Sequence, residues 1–280
     1  MAVPRTLQAI ERRFLPADLR ERLRDLSIAD PGHGYDSFGL HADWVSAAAG
    51  LFTPLYERWF RVTSHGVENV PQQGGAVLAA NHSGTIPIDA MMIWNDVLRH
   101  TSPPRVTRVV MDHFVNLLPA ISILFGRCGA VGGSRGNFHE LLERGELVGV
   151  FPEGLPAIGK PWSERYQLCE WREGHAEMAI RHGVPIVPIA VIGSEEQLPT
   201  LTRIESIKLF GLPYLPIPAT PIPLPVHYHL WYGEPIPTHL DYSPTQADDG
   251  AVVREAAARV KASVQALIKR GLAEREGVFR

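Results

Sequence analysis

The sequence predicts an α/β fold: a largely parallel, twisted central sheet flanked by helices, preceded by a helical N-terminal extension. Three observations point there. Short apolar runs alternate with segments of helical periodicity from residue 76 to residue 271, the pattern of strands joined by crossover helices. The runs are apolar at consecutive positions, as in Ala76-Val77-Leu78-Ala79-Ala80 and Leu147-Val148-Gly149-Val150-Phe151, which suits strands buried on both faces. The chain has 280 residues, 45% hydrophobic and 20% charged, enough to bury a substantial core as one large domain or two small ones.

Residues 1–40 read as one or two surface helices closed by the Pro31-Gly32-His33-Gly34 turn. Residues 43–60, with Trp44, Leu51, Phe52, Trp59 and Phe60, read as a more apolar helix. It either packs on the core or meets a membrane through its aromatic rings. We assign 1–60 to a helical, membrane-associating region and 61–280 to the main domain. Within the latter, strands are predicted at 76–80, 106–111, 147–151, 185–192 and 226–232. Helices are predicted at 88–99, 114–125, 135–145, 171–183 and 250–271. The last carries an apolar stripe (Val253, Ala257, Val260, Val264, Leu267, Ile268) that covers the sheet.

A formal charge of −3 gives no global basic field, so no nucleic-acid partner is expected. Cys128 and Cys169 are the two cysteines, too few for a disulfide framework, which favours a reducing compartment. The first thirty residues mix charge and apolarity without a secretory signal's apolar region. The longest uncharged run, Leu209 to Gly233, holds six prolines and cannot span lipid as a helix. A soluble or peripheral protein is expected. Its 209–225 tract is either an irregular cover over the core or, with the 114–125 segment opposite, a wall of an apolar groove or a membrane-facing lip.

Chemistry concentrates where strand 76–80 gives way to Asn81-His82-Ser83-Gly84-Thr85-Ile86-Pro87-Ile88-Asp89. Small neighbours leave the His82 ring approachable. Pro87 suits a first helical turn, and Asp89 just beyond it is favoured by the helix dipole. A carboxylate bonded to one ring nitrogen fixes the tautomer and leaves the other free to take a proton. The bland alternative is a surface histidine. Glu153-Gly154 follows another buried strand and is expected at the same sheet edge, where α/β ligands bind; a helix-capping glutamate is the alternative. There is no nucleotide-binding glycine fingerprint. His227 and His229 have no obvious carboxylate partner, so no metal is expected.

Asn81-His82 with the following Asp89, then Phe151-Pro152-Glu153-Gly154, then Val184-Pro185-Ile186-Val187-Pro188 together resemble the phospholipid/glycerol acyltransferase family, related to 1-acylglycerol-3-phosphate acyltransferase. Order and separations match over about 60–235, although the His82–Asp89 spacing is wider than the family's. The resemblance implies acyl transfer from acyl-CoA or acyl carrier protein to a glycerolipid hydroxyl, with lysophosphatidic acid or a related lysophospholipid as the expected acceptor. A neutral glycerol acceptor and a non-catalytic lipid-binding protein on the same fold are the alternatives. It implies His82 as base and Asp89 as its support, with no cofactor beyond the donor substrate. Amides near Ser83 and Gly84 are candidate donors to the developing oxyanion. Asn81, Glu153 and Gly154 are expected to contact substrate. Arg135, at a helix start capped by Ser134, is the leading phosphate ligand, with Lys160 and Arg165 as further cations. Peripheral attachment at the cytoplasmic face of the membrane, in phospholipid biosynthesis, is expected.

Overall fold

The computed structural model describes residues 3–84, 86–112, 115, 118–204 and 214–280. A seven-stranded sheet runs through the molecule in the order β1-β9-β6-β2-β5-β3-β4. Its strands are β1 (Thr63–His65), β2 (Ala76–Ala80), β3 (Thr107–Met111), β4 (Val131–Gly132), β5 (Leu147–Val150), β6 (Ile186–Ile192) and β9 (His229–Tyr232). Strands β6, β2, β5, β3 and β4 are mutually parallel; β9 turns antiparallel to β6, and β1 runs parallel to β9. A separate hairpin pairs β7 (Thr200–Ile204) with β8 (Leu215–Pro218).

The predicted central strands fall within two residues of those found at 76–80, 106–111, 147–151 and 185–192. The predicted 226–232 strand begins three residues later, at His229. Successive residues of β2 face opposite cores: Val77 and Ala79 one, Ala76, Leu78 and Ala80 the other. Burial on both faces explains the unbroken apolar runs. On one face lie α6 (Arg135–Glu143), α8 (Gly174–His182) and the long α11 (Gly250–Glu274). On the other lies α4 (Ile88–His100).

Before the sheet come α1 (Arg5–Phe14), α2 (Ala17–Leu23) and α3 (Ala42–Pro54), the last continuing as a π-helical turn over Leu55–Trp59. Helix α1 crosses α3 closely enough that a Cβ on Gly50 would stand 2.6 Å from the Glu11 Cα. These helices pack on the main domain: Leu15, Leu19, Leu23 and Val45 share one buried cluster with Trp94, Leu98 and Val106. An ion pair ties the regions together. Arg108 of β3, fully buried, donates to the buried Asp36 carboxylate at 2.6 Å and to the Gly129 carbonyl at 2.9 Å.

Two elements depart from expectation. The predicted 114–125 helix is α5 (Pro119–Arg127), opened by its proline and without a buried residue; Phe114 and Leu117 lie outside the described residues. In the proline-rich tract, residues 209–213 lie outside the described residues and Leu215–Pro218 is strand rather than irregular cover. No described helix is long and apolar enough to cross a membrane.

Candidate active site

The carboxyl ends of β2, β5 and β6 share one edge of the sheet, and the candidate residues gather in the loops that leave it. The β2 chain ends at Ala80, turns through Asn81–Pro87 and re-enters as α4, so that Asp89 lies in the first helical turn. The longer loop still closes: His82 Nδ1 is 2.7 Å from Asp89 Oδ2. Asp89, fully buried, also accepts the Ser83 amide on Oδ2 at 2.9 Å and the Ala90 amide on Oδ1 at 2.8 Å. Asp89 therefore accepts a hydrogen bond from Nδ1–H, which leaves the lone pair of Nε2 free; no described residue bonds that nitrogen. Burial pushes the His82 imidazole towards lower pKa, but the Asp89 and Glu153 carboxylates outweigh it and hold the ring above its ordinary range. The ring is 12% exposed and leans on Phe151, centroids 4.5 Å apart.

Glu153 is placed differently from the sequence expectation. It is buried, and both oxygens are engaged by protein: the His82 amide donates to Oε1 at 3.0 Å and the Cys169 amide to Oε2 at 2.7 Å. It clamps the His82 loop to the loop after β5 and presents no free acceptor to a substrate. Gly154 beside it has φ +61° and ψ −152°, a region that side chains avoid. A Cβ there would press on the Arg172 guanidinium, 3.3 Å from Cζ. The glycine thus admits an arginine of the same chain.

Asn81 also serves the fold. Its amide nitrogen donates to the Val191 carbonyl at 3.1 Å and its oxygen accepts the Val191 amide at 2.7 Å, locking β2 to β6 from a fully buried position. The three protons of Lys160 are directed to protein oxygens: Glu195 Oε1 at 3.0 Å, the Gln167 carbonyl at 3.0 Å and Glu153 Oε2 at 3.5 Å. Burial alone would lower Lys160, yet the Glu195 and Glu153 carboxylates raise it; burial pushes Glu195 up to about 7 against the pull of Lys160. Arg135 opens α6, capped by Ser134 as expected, but its exposed side chain pairs with Glu177 of α8. Arg165 lies over the Trp162 ring, 4.4 Å from its centroid.

A small pocket opens at this edge, lined by Ser83, Gly84, Lys160, Trp162, Arg165 and Glu195 among others. The Ser83 amide is committed to Asp89, so the Ser83 hydroxyl, buried without a partner, and the Gly84 amide remain as candidate oxyanion donors. A second, small apolar pocket lies behind Phe151, walled by Leu78, Ala90, Ile93 and Val109. Among the described residues no cluster of three or more histidine, cysteine or acidic side chains is arranged to hold a metal ion.

Arg172 and Glu195 were missed from sequence. Glu195 had a signal, an acidic pair directly after a wholly apolar strand at the same edge. Arg172 had none, because a basic residue two positions before a helix resembles any surface cation.

Comparison with known proteins yields three findings. A family model described as Acyltransferase matches residues 61–192. The chain is 38% identical over 275 residues to an uncharacterized protein of Mycobacterium tuberculosis, covering 93% of this chain and 74% of that one. It is 32% identical over 216 residues to the human protein named DGAT1/2-independent enzyme synthesizing storage lipids, covering 75% of this chain and 61% of that one. The fold is similar to that of the 1-acyl-sn-glycerophosphate acyltransferase PlsC from Thermotoga maritima, with a TM-score of 0.52, 18% identity and coverage of 96% and 89%.

Proposed function

Since this chain belongs to the acyltransferase family, we propose that it transfers a fatty acyl group from a thioester donor, acyl-CoA or acyl carrier protein, to the hydroxyl of a glycerolipid at a membrane surface. The observation that carries this reading is the His82–Asp89 bond with Nε2 unengaged. In this mechanism the acceptor hydroxyl gives its proton to Nε2 as its oxygen attacks the thioester carbon. Asp89 supports the imidazolium that forms, and collapse of the tetrahedral intermediate expels the thiolate, which recovers the proton. A thioester is activated already, so the enzyme needs no covalent intermediate. The Gly84 amide and Ser83 hydroxyl are placed to meet the oxyanion.

Charge balance favours an uncharged acceptor, such as a diacylglycerol, over the lysophosphatidic acid expected from sequence. The cavity lysine is saturated by Glu153, Glu195 and a carbonyl, and Arg135 is paired elsewhere. The storage-lipid name of the human relative agrees. The second reading, a lysophospholipid acceptor, is favoured by Arg165, exposed in the lining of the same pocket, and by Arg172, exposed beside Gly154. A panel test decides: purified protein with acyl-CoA should release free thiol with diacylglycerol and far less with lysophosphatidic acid. The reverse order would overturn the neutral acceptor. Full turnover in His82→Ala would overturn the mechanism.

A further inference from the structure

Eight of the twelve large apolar side chains that fail to be buried among the described residues share one part of this molecule. They gather at the sheet edge where His82 opens. Ile86 is exposed on the loop leaving β2, Trp162 on the segment after β5, and Leu201 after β6. The connection leaving the carboxyl end of β3 is α5, with Ile121, Ile123 and Leu124 all exposed and no charge before Arg127. Because β9 is antiparallel to β6, with His229 opposite Ile192, the start of β9 lies at this edge too, and β1 starts beside it. Trp59 precedes β1 and donates its indole N–H to the Pro223 carbonyl at 3.3 Å. Ile222 stands exposed nearby in sequence, just ahead of that proline. The opposite edge contrasts with this. Of the loops entering β2, β3, β5 and β6, none carries an exposed large apolar residue among those described; Leu240 of the short helix Thr238–Asp241, Leu51 of α3, Tyr35 and Phe279 are the exposed large apolar residues outside this set.

We propose that this edge, with α5 and the Trp59 and Trp162 indoles at its rim, is a docking face for a phospholipid bilayer, seating the mouth of the His82 cavity on the membrane. The proposal rests on the functional reading above only for its purpose; the face itself is argued from the surface. Large apolar side chains clustered on a surface mark an interaction site. Its chemistry fits lipid: tryptophan is favoured at the membrane–water interface. The exposed arginines Arg58 and Arg165 neighbour the two indoles in sequence, complementing the phosphate layer, and the Arg165 guanidinium caps the Trp162 ring. The apolar positions of α5 cover about half its circumference, as in a helix lying along an interface.

The test uses vesicles of phosphatidylcholine and phosphatidylglycerol, with and without brominated acyl chains. Brominated lipid should quench wild-type tryptophan emission, and the quenching should be lost in the Trp59→Phe, Trp162→Phe double variant. Partitioning should fall by about tenfold or more in Ile123→Glu, Leu124→Glu, with the helical circular dichroism of the wild type retained. Leu240→Glu, on the opposite edge, should bind as the wild type does. Equal binding by the α5 variant, equal weakening by Leu240→Glu, or quenching that survives loss of both indoles would overturn the docking face. Vesicle binding of the expected pattern by a protein that releases no thiol with any acceptor would uphold the face and overturn the functional reading instead.

Discussion

Asp89 has three donors on its carboxylate, and one of them is the His82 imidazole. Replacing it by asparagine keeps the size and removes the charge. The raised affinity of His82 for its proton comes from that charge and from Glu153, against burial. In Asp89→Asn the acid limb of kcat/KM against pH should therefore move to lower pH, because the imidazole loses its proton more readily. At pH 8, kcat should still fall, by roughly 10² to 10⁴, since the tautomer is no longer fixed and the imidazolium no longer supported. A pH–rate profile of wild type and variant checks both, and an unmoved acid limb would contradict the assignment. The pair was legible in sequence because strand end, proline and helix start fix where each residue falls. Glu153 was misread for a related reason. A motif places a residue at an edge but does not say whether its oxygens turn outward or, as here, take the amides of His82 and Cys169.

Helix α4 carries a second buried carboxylate one heptad after the first. Asp96 accepts from the hydroxyls of Tyr56, Ser64 and Tyr232, and lies 3.2 Å from His100 Nδ1. It so joins α4 to the π-helical turn, to β1 and to β9. Removing it strands several buried donors, and Asp96→Ala should lose about 2–4 kcal/mol in urea unfolding. Activity in the remaining folded fraction should stay close to normal, since α4 keeps its first turn. Neither this hub nor β1 was legible. The Thr63-Ser64-His65 strand is three polar residues long, and its identity as strand comes from pairing with His229–Trp231, 166 positions away in the register and invisible to any local pattern. The β7–β8 hairpin escaped similarly, because its prolines read as loop while β8 sits in a two-stranded ribbon whose edges tolerate them. The central parallel strands were legible because burial on both faces writes itself as an uninterrupted apolar run.

At the scale of the whole molecule, the helical N-terminal region and the sheet share a buried cluster and the Arg108–Asp36 pair. Asp36→Ala would leave a guanidinium inside the sheet with one of its nitrogens already lacking a partner. The expected loss is about 3–5 kcal/mol, read as a lower midpoint of thermal unfolding. Leu15, Leu19 and Leu23 were legible as a helical surface layer, yet nothing local announced that they would roof Trp94 and Leu98. The consequence reaches the boundaries by which such proteins are recognised. The stretch that matches the acyltransferase signature, 61–192, is shorter than the unit that must fold together. A fragment trimmed to begin at residue 61 would expose the charged root of β3 and an oily flank on α4, and should be recovered aggregated even with every residue of the reaction centre in place.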